Sequence, residues 1–184
     1  DDEGKMLYGW VDENSAERID NTDGDAFKEA TYYFGGEDDG AMTTGWLLID
    51  VSYDEATNDD YKYTAPTFND DDDQTRWFYF KSNGKRAENE KITYKGKSYY
   101  FDTDGKMLTG WVNTGDGTSA VNEASGYDKD HTFYCDETGA RVEGAWVKDV
   151  APGVDDDDAD ADEYLKGYYK IIFKNSDSAI YKVG

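Results

Sequence analysis

Ser98-Tyr-Tyr-Phe-Asp-Thr-Asp-Gly-Lys-Met-Leu-Thr-Gly-Trp-Val112 is the stretch on which the fold turns. Tyr99, Tyr100 and Phe101 suit a pleated, half-buried surface. Asp104-Gly105 supplies the positive φ that a tight hairpin needs. Met107 and Trp111 then return apolar surface, with Gly110 where a backbone can approach closely. The stretch reads as two short strands folded about a turn. One such hairpin is marginal in water, so it predicts neighbours to pack on.

Those neighbours are written in the rest of the chain. Gly4-Lys-Met-Leu-Tyr-Gly-Trp10 opens it, and Tyr32-Tyr-Phe34 with Gly40-Ala-Met-Thr-Thr-Gly-Trp46 repeats the whole pattern. A third copy runs Trp77-Phe-Tyr-Phe80 and Asn83-Gly84, with Ile92 where a tryptophan is expected. The fifth is Phe133-Tyr-Cys135, Gly139 and Gly144-Ala-Trp146; a degraded sixth holds Ile171-Ile-Phe173 with Ile180 and Tyr181. Glycine and tryptophan lie six residues apart in the first, second and fourth copies. Recurrence at this level predicts an array of stacked units rather than one central core. The expected architecture is all-β: an elongated β-hairpin solenoid of about five degenerate repeats in a single array over 1–184. Its repeat cores fall near 4–12, 31–48, 76–92, 97–112, 132–147 and 168–182, with acidic insertions at 13–30, 49–75, 113–131 and 148–167.

Composition alone points the other way. Leu, Ile, Val and Phe number 28 of 184 and the net charge is −23, a combination typical of disorder. The 29 aromatic residues fall in register, however, and each buries roughly 150–250 Å², so they can replace an aliphatic core. No apolar run is long enough to span a membrane, and no signal peptide is present. The chain starts midway through a repeat, which suggests a mature or excised fragment. Such strong negative charge opposes nucleic acids and anionic membranes and favours cationic partners.

Little in the chain suggests catalysis. Cys135 is the only cysteine and stands where Phe101 stands in its own copy, so a buried core thiol is expected. His131, the only histidine, reads as a surface loop residue. No phosphate loop, nucleophile elbow or metal-ligand motif occurs, and nothing marks a carboxylate pair as a glycosidase dyad. The segment is therefore read as non-enzymatic and without a cofactor. Calcium is the one metal to weigh, and Asp71, Asp73, Asp156 and Asp158 are its weak candidates. An unpatterned acidic run more often makes a solvated, self-repelling loop.

The recurring pattern of an aromatic-Tyr-Phe triplet, Asp/Asn-Gly, Lys-Met and Thr-Gly-Trp resembles the cell-wall-binding repeats of Gram-positive surface proteins. That family includes choline-binding repeats, glucan-binding repeats and the receptor-binding repeats of clostridial toxins. The resemblance implies an extracellular, cell-surface location and a partner among cell-wall polymers, glycans or choline-like cations. In the choline-binding branch, aromatic rings hold the cation by its attraction to their electron-rich faces. Carried over position by position, the cage falls on Trp46, Trp77 and Tyr79. Elsewhere its opening place holds Thr31, Ser98 or Thr132. Trp10, Trp111 and Trp146 remain as platforms of the kind a glucan needs. Two alternatives stay open: these aromatics simply pack the fold, or the chain is a spacer or adhesin whose acidic insertions meet a protein partner.

Overall fold

The computed structural model describes residues 3–52, 75–115, 117–120 and 131–142, together with the backbone of strands at 146–147, 169–174 and 177–182. Twelve short strands appear among them: β1 (Trp10–Val11), β2 (Tyr32–Tyr33), β3 (Gly45–Asp50), β4 (Thr75–Phe80), β5 (Glu90–Tyr94), β6 (Lys97–Phe101), β7 (Gly110–Asn113), β8 (Ser119–Ala120), β9 (Thr132–Cys135), β10 (Trp146–Val147), β11 (Tyr169–Lys174) and β12 (Asp177–Lys182). Every pairing is antiparallel, and the only helix among the described residues is one 3-10 turn at Ala26–Lys28. None of this is a helix long and apolar enough to cross a membrane.

The strands pair differently from the way the sequence suggests. Trp111 does not fold back onto Tyr99–Phe101 of its own copy. The Gly-Trp strands β1, β3 and β7 pair instead with the aromatic triplet of the next copy in β2, β4 and β9, and β5, which lacks the tryptophan, pairs with β6 in the same way. The Asp104-Gly105 turn does form, with Gly105 at φ +78, but it returns only a bridge in which the Leu108 N–H donates to the Tyr100 carbonyl at 2.8 Å. Gly110 at φ +69 then swings the chain away towards its new partner. The insertions after Trp10, Trp46 and Trp111 therefore sit within hairpins rather than between them. Leu47–Asp50 belongs to a strand, as its β-branched and aliphatic character predicts.

Repetition shows most plainly in the backbone hydrogen bonds. The middle carbonyl of each triplet (Tyr33, Tyr79, Tyr100, Tyr134) accepts from the N–H of Thr43, Ala87, Leu108 and Val142 respectively, at 2.7–2.8 Å. The carbonyl just ahead of the triplet (Thr31, Trp77, Ser98) accepts from Arg86, Met107 and Arg141 of the following copy at 2.8, 3.0 and 2.8 Å. Two of the glycine turns are closely packed by the side chain of the preceding copy. A Cβ at Gly84 would lie 2.3 Å from the Met42 sulfur, and one at Gly105 would lie 2.6 Å from the Arg86 side chain.

Two compact units emerge, residues 1–89 with 103–107, and residues 90–102 with 108–184. The first builds its core by laying Trp10 and Tyr33 of one hairpin against Leu47, Ile49, Phe78 and Phe80 of the next. Trp10 meets Tyr33 at 4.7 Å and Phe78 at 5.3 Å between ring centroids, so aromatic contact replaces the missing aliphatics. The second unit buries Tyr100, Leu108, Val112, Phe133 and Cys135. Its Tyr100 and Phe133 rings stack at 5.7 Å and 15°, and the Arg141 guanidinium lies 3.8 Å over Phe133 while donating to the Tyr100 hydroxyl at 3.1 Å.

The insertion at 13–30 corrects the expectation of a solvated acidic loop. Ala26, Phe27 and Ala30 are buried in the first core, with Ile19 packed beside them. Asn21 is 1% exposed; its side-chain amide donates to the Val51 carbonyl at 3.0 Å and accepts from the Ala26 N–H at 3.1 Å. Its charged residues stay outside, where Asp20 closes a small turn onto Thr22. Insertion carboxylates Asp71, Asp73, Asp156 and Asp158 lie outside the described residues.

Candidate functional site

Antiparallel register decides which aromatics can act together. Trp46 stands opposite Tyr79, and Leu48 opposite Trp77, so Trp46, Trp77 and Tyr79 share one face of the β3–β4 hairpin. Leu47, Ile49, Phe78 and Phe80 take the other face and fill the core. The three site rings stay half-buried. Trp46 meets Tyr79 at 5.0 Å and 72°, and Trp77 at 6.0 Å and 89°. Residues far apart in sequence thus form a corner of three steeply inclined rings, because the long insertion only joins the two arms.

The second tryptophan is tied down from the next copy. Met107, itself 4% exposed, donates its N–H to the Trp77 carbonyl at 3.0 Å, which fixes the backbone at the ring's root.

The other sequence-predicted positions fare differently. Trp111 stands opposite Tyr134 with rings at 5.1 Å and 70°, the same pair as Trp46 and Tyr79. Its third place is Thr132, which is 1% exposed, and Trp111 itself is only 8% exposed. Trp10 is corrected outright: at 0% exposure its ring is core and offers no platform. Trp146 pairs across the sheet with Lys170, so no aromatic triplet centre faces it; its side chain lies outside the described residues.

Ile92 is not the residue that replaces a tryptophan. In every complete hairpin the tryptophan sits opposite the triplet centre, and the residue opposite Tyr100 is Lys91. Asn89 adopts φ +47, the left-handed backbone that Gly9, Gly45 and Gly110 adopt elsewhere, and Glu90 is the extra residue. Counting from Gly84 could have exposed this shift, since Asn tolerates that conformation better than most residues.

Cys135 sits in the core rather than at a surface site. Cys135 is completely buried, and burial above all, with the Asp136 charge second, pushes its thiol up to about 12. His131 is exposed, and its backbone carbonyl accepts from the Thr114 N–H at 2.8 Å. Among the described residues no group of three or more His, Cys, Asp or Glu side chains is placed to hold a metal ion.

No protein-family model matches the chain. Over 82 residues, 39% of its length, it is 37% identical to a Streptococcus pneumoniae protein named as an endo-beta-N-acetylglucosaminidase, and the match spans 12% of that protein. Its counterpart from a second S. pneumoniae strain gives the same identity over 11% of its length. In three dimensions, CbpJ of S. pneumoniae aligns with 94% of this chain and 36% of its own, at a TM-score of 0.50 and 20% identity. Choline binding protein F of the same organism aligns with 96% of this chain and 36% of its own, at 0.49 and 21%. At this identity the likeness to CbpJ is one of fold.

Proposed function

We propose that the chain is a non-catalytic, cell-surface binding module that attaches to a cell-wall polymer by taking a choline-like quaternary ammonium group at Trp46, Trp77 and Tyr79. The observation that carries this reading is the inclination of the three rings. Rings at 72° and 89° give no broad flat platform of the kind a sugar ring stacks on. A trimethylammonium head is nearly spherical and can meet several inclined faces at once, gaining about 0.5–2 kcal/mol from each well-placed ring. The net charge of −23 adds long-range attraction for such a cation.

The curated relative supports a modular role, since this chain matches only 12% of a protein whose name implies a hydrolase. A module that holds the wall while catalysis resides elsewhere fits that proportion. The competing reading is a structural spacer or adhesin segment whose acidic insertions contact a protein partner. It draws support from the insertion at 13–30, whose buried residues serve packing.

Retention on a quaternary-amine resin separates these readings. Free choline at constant ionic strength should elute the chain, and Trp77→Ala should weaken retention by about tenfold or more, the loss of roughly 1.4 kcal/mol. Trp111→Ala should leave it unchanged. Elution by salt alone, with choline no better than sodium, would sink the proposal and leave ordinary ion exchange.

A further inference from the structure

We infer that Met42, with Met6 beside it in kind, is an oxidation site at which a peroxide loosens the first unit while the second is spared. All three methionines of the chain stand at one place of the repeat, two residues after the turn glycine. Met6 is 56% exposed and Met42 44%, the two exposed large apolar side chains among the described residues, whereas Met107 is 4% exposed. Both exposed thioethers nevertheless pack on a turn. A side chain at Gly40 would collide with the Met6 sulfur, and one at Gly84 with the Met42 sulfur. Each sulfur thus has one side against the backbone of the next copy and another open to solvent. It is reachable, and its polarity matters to what it touches.

The chemistry is a two-electron oxidation. A sulfur lone pair attacks one oxygen of hydrogen peroxide, the O–O bond breaks, and the sulfoxide forms as water leaves; sulfur is oxidised and the peroxide reduced. The product is polar where the thioether was apolar, and its oxygen accepts hydrogen bonds without donating any. At the Gly84 turn three backbone donors are already taken. The Gly84 N–H donates to the Lys81 carbonyl at 2.8 Å, the Lys81 N–H to the Lys85 carbonyl at 2.8 Å, and the Lys85 N–H to the Asn83 side-chain oxygen at 3.0 Å. Met42 sulfoxide therefore gives up its contact with the turn rather than bury an unmatched acceptor. The loss falls on one unit. Residues 1–89 with 103–107 hold all three methionines, and the second unit has Arg141 at the equivalent place, with no sulfur to oxidise.

Dilute hydrogen peroxide on the full chain, followed by peptide mass spectrometry and amide hydrogen exchange, tests this. Met6 and Met42 should each gain one oxygen about tenfold faster than Met107. In the oxidised chain the Gly84 and Ala87 amides, which donate to the Lys81 and Tyr79 carbonyls, should exchange about tenfold faster. The Leu108 and Val142 amides, bound to Tyr100 and Tyr134 in the second unit, should keep their rates. Met42→Leu should abolish the response at Gly84 and Ala87 while Met6 still oxidises. Methionine sulfoxide reductases acting on the oxidised, unsubstituted chain should restore slow exchange, a control that needs no variant to fold. Oxidation of Met107 as fast as Met42 overturns the inference, and so does unchanged exchange at Gly84 with Met42 fully oxidised. An undiminished response in a folded Met42→Leu chain, or Val142 losing protection together with Ala87, also overturns it, because the damage would then not run through Met42.

Discussion

Phe78→Ala should destabilise the first unit by about 3–5 kcal/mol, the cost of removing a large buried ring and leaving a cavity. Phe78 is fully buried, with Trp10 at 5.3 Å and Phe27 at 5.9 Å. It therefore joins both the hairpin stack and the docked insertion. Its neighbours along β4, Trp77 and Tyr79, are half-buried on the opposite face, so Tyr79→Ala should cost distinctly less. Urea unfolding followed by tryptophan fluorescence measures both. The contrast is a strict test of register, because slipping β4 by one residue exchanges its two faces. A loss below about 1 kcal/mol for Phe78→Ala, with a larger one for Tyr79→Ala, would mean that the aromatic trio is core and the proposed site does not exist.

Cys135 should resist alkylation by roughly a thousandfold relative to an ordinary exposed thiol at pH 8, because reaction needs the thiolate. Burial is the main cause of the rise to about 12 from 9.0, and the Asp136 charge adds to it, while Arg141 opposes. The same shift has a consequence for stability. The folded state holds the thiol proton more tightly than the unfolded one, so the contribution is complete below pH 9 and is lost as pH rises from 9 to 12. Over that window the loss amounts to roughly 4 kcal/mol. Tyr99, raised by burial and then by the Asp136 charge, acts in the same direction above pH 10. Cys135→Ala should flatten the alkaline limb of a stability-against-pH curve. An equally steep limb in that variant, or rapid labelling of the native chain by iodoacetamide, would show that the thiol is exposed.

Both results bear on how this fold works with few aliphatics. The first unit relies on rings meeting rings, and the second stacks Tyr100 on Phe133 beneath the Arg141 guanidinium, with Cys135 in the same core. The same place in the repeat is filled by Met6, Met42, Arg86, Met107 and Arg141. A long, unbranched side chain is the common requirement, because it must lie along the next glycine turn, as Met42 does at Gly84 and Arg86 at Gly105.

Sequence alone determined the periodic content of this protein. Glycines six residues from tryptophans and aromatic triplets at recurring places identified the strands and their all-β class, since positive φ and pleated aromatic faces are local preferences. The family resemblance of these repeats, rather than their spacing, singled out Trp46, Trp77 and Tyr79, whose proximity follows once two strands pair. Tertiary structure alone decided which strands pair. The Asp104-Gly105 turn looks like a hairpin turn, but the left-handed backbone at Gly110 sends Trp111 on to Tyr134. Non-local register likewise placed Lys91, not Ile92, opposite Tyr100, and it buried Trp10 beneath Phe27. No local rule could announce that last contact, because Phe27 lies in an acidic insertion with no aromatic periodicity. Its role follows only from the tertiary contacts it makes with Trp10 and Phe78.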